Sequence, residues 1–176
     1  TKLGASVVGM PGGQIYENLI NGTIDACEWV GPWNDERSRF YEAAKYYYWP
    51  GMHEPGTLIT LGCNKSWLTS LSKTDQMIVE HAATVQNEMM LTEYNANNGA
   101  ALQRMQSQGV KALQFSDEIW DAFGAASAEV MDENMGDDLF RSTRASFEAS
   151  LADSAAWISK SDGYYVQQRV RVLGGS

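Results

Sequence analysis

The first 30 or so residues constrain the fold more than any other stretch. Ala5-Ser6-Val7-Val8-Gly9-Met10 reads as a short apolar strand, and Pro11-Gly12-Gly13 as a turn. Ile15, Tyr16, Leu19 and Ile20 then recur at helical spacing, and Asn21-Gly22 stops that helix with a left-handed cap. The run from Ile24 to Val30 is a second apolar stretch, closed by Gly31-Pro32. Strand, helix, strand in so short a span predicts a βαβ unit, whose strands are parallel and whose crossover is right-handed.

The pattern continues to residue 64 and then changes. Asn34 is a candidate cap for the next helix, with Asp35 and Glu36 in its first turn and Phe40 and Ala44 on one face. Tyr46-Tyr47-Tyr48-Trp49 reads as an aromatic strand ended by Pro50-Gly51, and 57–64 as a further strand. From Ser72, a candidate N-cap, the period becomes 3.6. Ile78, Ala82, Val85, Met89, Ala101, Leu102 and Met105 share a face, and Gly109 ends the helix. A short strand follows over 110–115. Ser116 caps a helix bearing Ile119, Phe123, Ala126 and Val130, and Asp137-Asp138 opens a last one through Phe140, Phe147, Leu151 and Ile158. The expected division is an α/β segment over 1–64 and a mostly helical portion over 65–176.

Composition narrows the function classes. Against 13 Lys and Arg stand 22 Asp and Glu, a net charge of −9. That balance disfavours a phosphate-backbone binder or an anionic membrane surface, both of which need clustered cations. No apolar run approaches bilayer length. The chain enters its first strand almost at once from Thr1, with no Met, basic n-region or apolar h-region, so the expectation is the C-terminal portion of a longer chain. Cys27 and Cys63 lack metal-ligand spacing and are expected as two buried free thiols rather than a disulfide.

Catalytic constellations are scarce. His81 sits mid-helix among polar neighbours, and His53 lies in a loop beside Glu54. No G-x-S-x-G, H-E-x-x-H, P-loop or G-x-G-x-x-G is present. Pro11-Gly12-Gly13 before a helix has the form of an anion cradle, but a tight strand-to-helix turn is the plainer reading. The unusual segment is Asp25-Ala26-Cys27-Glu28-Trp29-Val30-Gly31-Pro32. A Glu within an apolar strand is costly to bury as a charge unless it is paired. Glu28 therefore either reaches water at an edge or contacts a ligand or metal, with Trp29 stacking over a small ligand. Glu54, in a turn after the aromatic strand, is a second carboxylate. Two carboxylates among aromatics, with few bases nearby, have the chemistry of an oxygen-ligand cation site.

These residues also carry a resemblance. The run from Gly12-Gly13-Gln14-Ile15-Tyr16 through Gly22-Thr23-Ile24-Asp25 to Glu28-Trp29-Val30-Gly31-Pro32-Trp33-Asn34-Asp35 resembles the solute-binding proteins of tripartite ATP-independent periplasmic (TRAP) transporters. Tyr46-Tyr47-Tyr48-Trp49-Pro50-Gly51-Met52-His53-Glu54-Pro55-Gly56 is similar to the branch that binds 2-oxo acids and related monocarboxylates. The resemblance covers nearly the whole chain. It implies an α/β, type II periplasmic-binding-protein-like fold, of which this chain matches the C-terminal half. It implies a periplasmic, non-enzymatic receptor for a small 2-oxo or 2-hydroxy monocarboxylate, working with membrane permease subunits, and a homo-oligomer. It also implies a bridging Na⁺ or Ca²⁺, held by the Glu28 side chain and the Trp29 backbone carbonyl, with Trp29 and Glu54 contacting the ligand. The Arg that grips the ligand carboxylate and a Gln metal ligand belong, in that family, to a region N-terminal to the strand that opens this chain. A bridging cation gives the two carboxylates a physical reason. Facing an anionic ligand they repel it, and an intervening cation reverses the sign. Two other classes remain open from the residues alone: a small α/β enzyme, and a helical interaction or oligomerisation module.

Overall fold

The computed structural model describes residues 1–52, 54, 56 and 59–174. They divide into two compact units, Thr1–Trp120 and Asp121–Ser176. The first unit holds a short 3-10 turn (Gly12–Gln14), helices α1 (Ile15–Ile20), α2 (Pro32–Arg37), α3 (Phe40–Ala43), α4 (Lys65–Ser70) and α5 (Lys73–Ser107), and strands β1 (Tyr46–Trp49) and β2 (Lys111–Gln114). Helix α6 (Asp117–Glu133) begins in this unit and continues into the second, which adds α7 (Asp138–Ile158) and α8 (Asp162–Leu173).

The sheet among the described residues is one parallel pair. Tyr46, Tyr47, Tyr48 and Trp49 stand opposite Lys111, Ala112, Leu113 and Gln114. The crossover between them contains α4 and α5. Lys111 N donates to Lys45 O at 2.8 Å, and Phe115 N to Trp49 O at 3.0 Å, which extends the ladder at both ends. The Tyr48 and Phe115 rings stack with centroids 5.1 Å apart.

The parallel pair is therefore present, but its members are not those expected. Residues 5–10 and 24–30 form no strand, and neither does 59–64; Thr57 and Leu58 lie outside the described residues. The physical reason is that a strand exists only through ladder hydrogen bonds to a neighbour, and none of these runs has one here. Val7, expected in a sheet interior, is 75% exposed. The two thiols follow: both cysteines are free, but Cys27 is exposed and Cys63 only half-buried.

The helix ends follow local chemistry. Ser72 Oγ accepts from Asp75 N at 3.1 Å and caps α5, and Gly109, at φ 91°, turns the chain out of it. Asp137 caps α7 through Phe140 N at 2.7 Å. Gly22 at φ 74° takes the left-handed position after α1. The start of α2 differs from expectation. Its N-cap is Gly31, with Pro32 as the first helical residue, and not Asn34. The single helix expected over 34–44 is interrupted at Ser38-Arg39, where Arg39 is left-handed at φ 59°.

The core of the first unit is small: Ile15, Phe40, Ala101, Met105 and Val110 are buried. Its centre is the docking of α2 on the C-terminal half of α5. Trp33 N donates to Asn98 Oδ1 at 3.0 Å, and the Trp33 ring meets Tyr94 edge-on at 5.3 Å. The Arg37 guanidinium lies 4.3 Å over the same indole. Arg104 reaches back to Glu36 with two bonds of 2.7 Å. By contrast Ile78, Val85 and Met89, expected on the buried face of α5, are exposed. Of the expected face only the later part, at Ala101 and Met105, is covered. In the second unit Arg144 bonds Asp132 of α6 at 2.8 Å and Glu148 of its own helix at 2.7 Å.

Candidate functional site

The run carrying Glu28 and Trp29 is held by the Gly12 turn and by the side chains of Phe40 and Asp35. Trp29 is folded back over the Gly12 turn. A Cβ placed on Gly12 would lie 2.5 Å from the far edge of the indole. The same indole meets buried Phe40 edge-on, with centroids 5.8 Å apart. Pro11-Gly12-Gly13 is thus a turn roofed by an aromatic ring. Tyr16 adds a brace from α1, donating to Glu42 Oε2 at 2.7 Å, while Arg39 grips the same carboxylate at 2.8 and 2.9 Å.

Behind the run sits Asp35. At 6% exposed it is the one buried polar or charged side chain among the described residues. Oδ2 accepts from the Tyr47 hydroxyl at 2.6 Å, and Oδ1 from Gly31 N at 3.3 Å. Burial pushes the Asp35 carboxyl above its usual range, while the bonds from Tyr47 and Gly31 pull it back. The Tyr47 hydroxyl is raised strongly, by burial first and then by the bond to Asp35. Partial desolvation by its neighbours likewise raises the thiol of Cys27, exposed as the residue is, with the charges of Asp35 and Glu28 adding to the shift.

Sequence reasoning missed this carboxylate, assigning Asp35 only to the first turn of a helix. The signal was present. Pro32 marks the first helical position, so Gly31 is the N-cap, and an acid one turn later folds back onto the cap's N–H.

Of the expected site residues, Glu28 and Trp29 lie side by side in an irregular run just before α2. Glu28 is exposed, and Trp29 is 36% exposed. Glu54 is exposed in the bend after β1; its neighbour His53 lies outside the described residues. Among the described residues no group of three or more His, Cys, Asp and Glu side chains could hold a metal ion. The donors that this segment offers are hard oxygens, a carboxylate and a peptide carbonyl, which suit Na⁺ or Ca²⁺ rather than a soft transition metal. They fit such a cation as part of its shell, since Ca²⁺ takes about six to eight oxygens. No helix among the described residues is long and apolar enough to cross a membrane.

Known proteins resemble this chain over most of its length. Residues 1–138 match the model of the DctP family, bacterial extracellular solute-binding protein family 7. A monocarboxylate 2-oxoacid-binding periplasmic protein of Nostoc is 37% identical over 158 residues, covering 89% of this chain and 43% of that protein. A TRAP periplasmic solute-binding protein of Colwellia psychrerythraea, solved with calcium and pyruvate, is 30% identical with a TM-score of 0.86, over 95% of this chain and 52% of that one. Its counterpart from Pseudoalteromonas atlantica, solved with sodium and pyruvate, is also 30% identical, with a TM-score of 0.84, over 94% of this chain and 51% of that one. The chain spans about half the length of these relatives, or somewhat less.

Proposed function

We propose, for a chain that belongs to the DctP family of bacterial extracellular solute-binding proteins, that it forms part of a periplasmic receptor for a small 2-oxo or 2-hydroxy monocarboxylate. The receptor delivers its ligand to the membrane permease subunits of a TRAP-type uptake system. In that receptor residues 1–64 supply the α/β segment of the second lobe and hinge, with β1 as the strand formed here, and 65–176 the mostly helical remainder.

A cation, Na⁺ or Ca²⁺, bridges ligand and protein. The Glu28 carboxylate and the Trp29 carbonyl are its ligands from this chain, and the Trp29 ring and Glu54 contact the organic ligand. When bound, the cation neutralises repulsion between the ligand carboxylate and the acidic side chains of the cleft. This chain's residues hold the donors in place and shape the wall. The self-association implied by the family resemblance would use the apolar side chains exposed on the C-terminal helices, Phe147, Leu151 and Trp157 among them.

The observation that carries the reading is the Glu28-Trp29 run. It offers a charged and a neutral hard oxygen next to one another, on a segment pinned by Gly12, Phe40 and Asp35. The likeness to relatives solved with pyruvate and calcium or sodium supports it.

Calorimetry on the complete gene product tests it, in buffers of choline salts free of sodium. Pyruvate should bind when Ca²⁺ or Na⁺ is added, and fail to bind in chelator alone. Pyruvate binding that is indifferent to both cations and to Glu28→Gln would overturn the reading.

A further inference from the structure

We infer that Glu42 is a positioning residue for the ligand wall: its carboxylate, shared by Tyr16 of α1 and Arg39 at the head of α3, ties together the two elements that touch the Trp29 indole. This rests on the reading above that the Trp29 ring contacts the organic ligand, and adds to it the residue that holds the ring in place.

The indole has contacts on two separate elements. At one, the backbone passes so close that a Cβ on Gly12 would lie 2.5 Å from the outer ring carbon. At the other, the ring meets buried Phe40, the first residue of α3, edge-on at 5.8 Å. Edge-on ring pairs are favourable at centroid distances of about 4.5–7 Å, so the Phe40 contact alone leaves the indole room to shift. The ring is placed only if the Gly12 turn and Phe40 keep a fixed relation to one another.

That relation is set by a short circuit of bonds. The Gly12 turn runs directly into α1, since Gln14 N donates to Pro11 O and Ile15 N to Gly12 O. Tyr16, four residues after Gly12, donates its hydroxyl to Glu42 Oε2 at 2.7 Å. Glu42 stands two residues after Phe40 in the same short helix. Arg39 bonds both oxygens of that carboxylate, at 2.8 and 2.9 Å, and Glu42 N donates to Arg39 O at 3.0 Å, so the acceptor is held in one orientation. Arg39 does this from a left-handed backbone, φ 59°, a conformation that persists where surrounding contacts hold it. Arg39 is exposed, and exposed ion pairs contribute little to stability. The effect of the brace therefore belongs in the placement of the ring more than in the melting temperature.

The test uses the complete gene product with 5-fluorotryptophan incorporated. Pyruvate affinity is measured by calorimetry at saturating Ca²⁺. The Trp29 ring is followed by its fluorine resonance, assigned as the one missing from Trp29→Phe. Glu42→Ala removes the brace. Pyruvate affinity should fall roughly 2–10-fold, the scale of ordering one large side chain on binding, and the Trp29 resonance should shift or broaden. Glu42→Gln keeps one acceptor oxygen for Tyr16 and Arg39 and should recover part of both effects. Tyr16→Phe cuts the link to α1 and should move both readouts in the same direction as Glu42→Ala. Glu36→Gln is the control. It breaks a pair of bonds of the same kind, to Arg104 at 2.7 Å, in a bridge that joins α2 to α5, and should move neither readout.

A folded Glu42→Ala protein overturns the inference if either readout stays at its wild-type value. Unchanged affinity would mean that ring placement does not matter to the ligand, and an unchanged resonance that the carboxylate does not place the ring. Losses of equal size in Glu36→Gln would overturn it as well, since any Arg–Glu bridge would then serve. If Glu42→Ala does not fold, Tyr16→Phe decides by the same two readouts. Trp29→Ala separates the two levels. If it keeps full pyruvate affinity, the site reading fails; if it loses pyruvate while Glu42→Ala does not, only the role of Glu42 fails.

Discussion

Gly12→Ala is the sharpest perturbation the structure offers. The added methyl would sit 2.5 Å from the outer edge of the Trp29 indole and 3.1 Å from the adjacent ring atom. Carbon atoms prefer about 3.5–4.0 Å, so the overlap is about 1 Å and the ring must move. Moving it disturbs its edge-on packing with buried Phe40, whose ring centroid is 5.8 Å away. Overpacking of this kind costs about 1–3 kcal/mol. Gly12 does not need a left-handed backbone, so Ala also reduces the freedom of the unfolded chain, which returns about 0.4–1 kcal/mol. The expected net loss is about 0.5–2 kcal/mol, or a melting temperature lower by about 2–6 °C for a domain of this size.

The assay is a double-mutant cycle on thermal melts, with Trp29→Phe as the second change. Phe lacks the outer ring, so the Gly12→Ala cost should largely disappear in that background, leaving a coupling of about 0.5 kcal/mol or more. Equal costs in both backgrounds, or a Gly12→Ala protein as stable as the parent, would refute the packing of Trp29 over this turn.

Glu28→Gln should lower the joint affinity for cation and pyruvate by more than about tenfold, with a much smaller effect on the unliganded melting temperature, because a full charge leaves the cation's contact shell. Calorimetry and melts with and without Ca²⁺ check this, and exposed Asp25, changed to Asn, is the control that should alter neither. Asp35 and Glu36 should show opposite pH signatures. Asp35 is raised by burial, so its contribution to stability is fullest below the usual carboxylate range and is lost as pH rises through its elevated value; Asp35→Asn should gain on wild type over that rise. Glu36 is lowered by its bond to Arg104, so its contribution is present above the usual range and lost as pH falls through the lowered value; the deficit of Glu36→Gln should vanish in acid. Melting curves from pH 3 to 7 on both variants would contradict the assignments if the two signs matched. Light scattering should find more than one copy per particle, and a clean monomer at the highest soluble concentration would remove the C-terminal helices as a self-association surface.

What could be read from the sequence alone was local. The caps at Ser72 and Asp137, the left-handed Gly22 and Gly109, the aromatic strand at 46–49 and the helices beyond residue 72 all depend on chemistry within a few residues. The Glu28-Trp29 pair was visible for the same reason, since a charge in an apolar run stands out against its neighbours. Only the tertiary structure decided which strands pair. Residues 5–10 and 24–30 have the apolar composition of strands, but a ladder needs a partner. Here the partners are 46–49 and 111–114, joined across a crossover of more than sixty residues. It also decided that the apolar stripe of α5 is covered at Ala101 and Met105 and open at Ile78 and Val85, because periodicity says which residues share a face and nothing about what lies against it. The anchor at Asp35 belongs to the same class. Its position near a helix start was legible, but its burial and its bond to Tyr47 exist only once β1 is folded beside α2, where desolvation and a hydroxyl donor turn a first-turn acid into a fixed point for the segment before it.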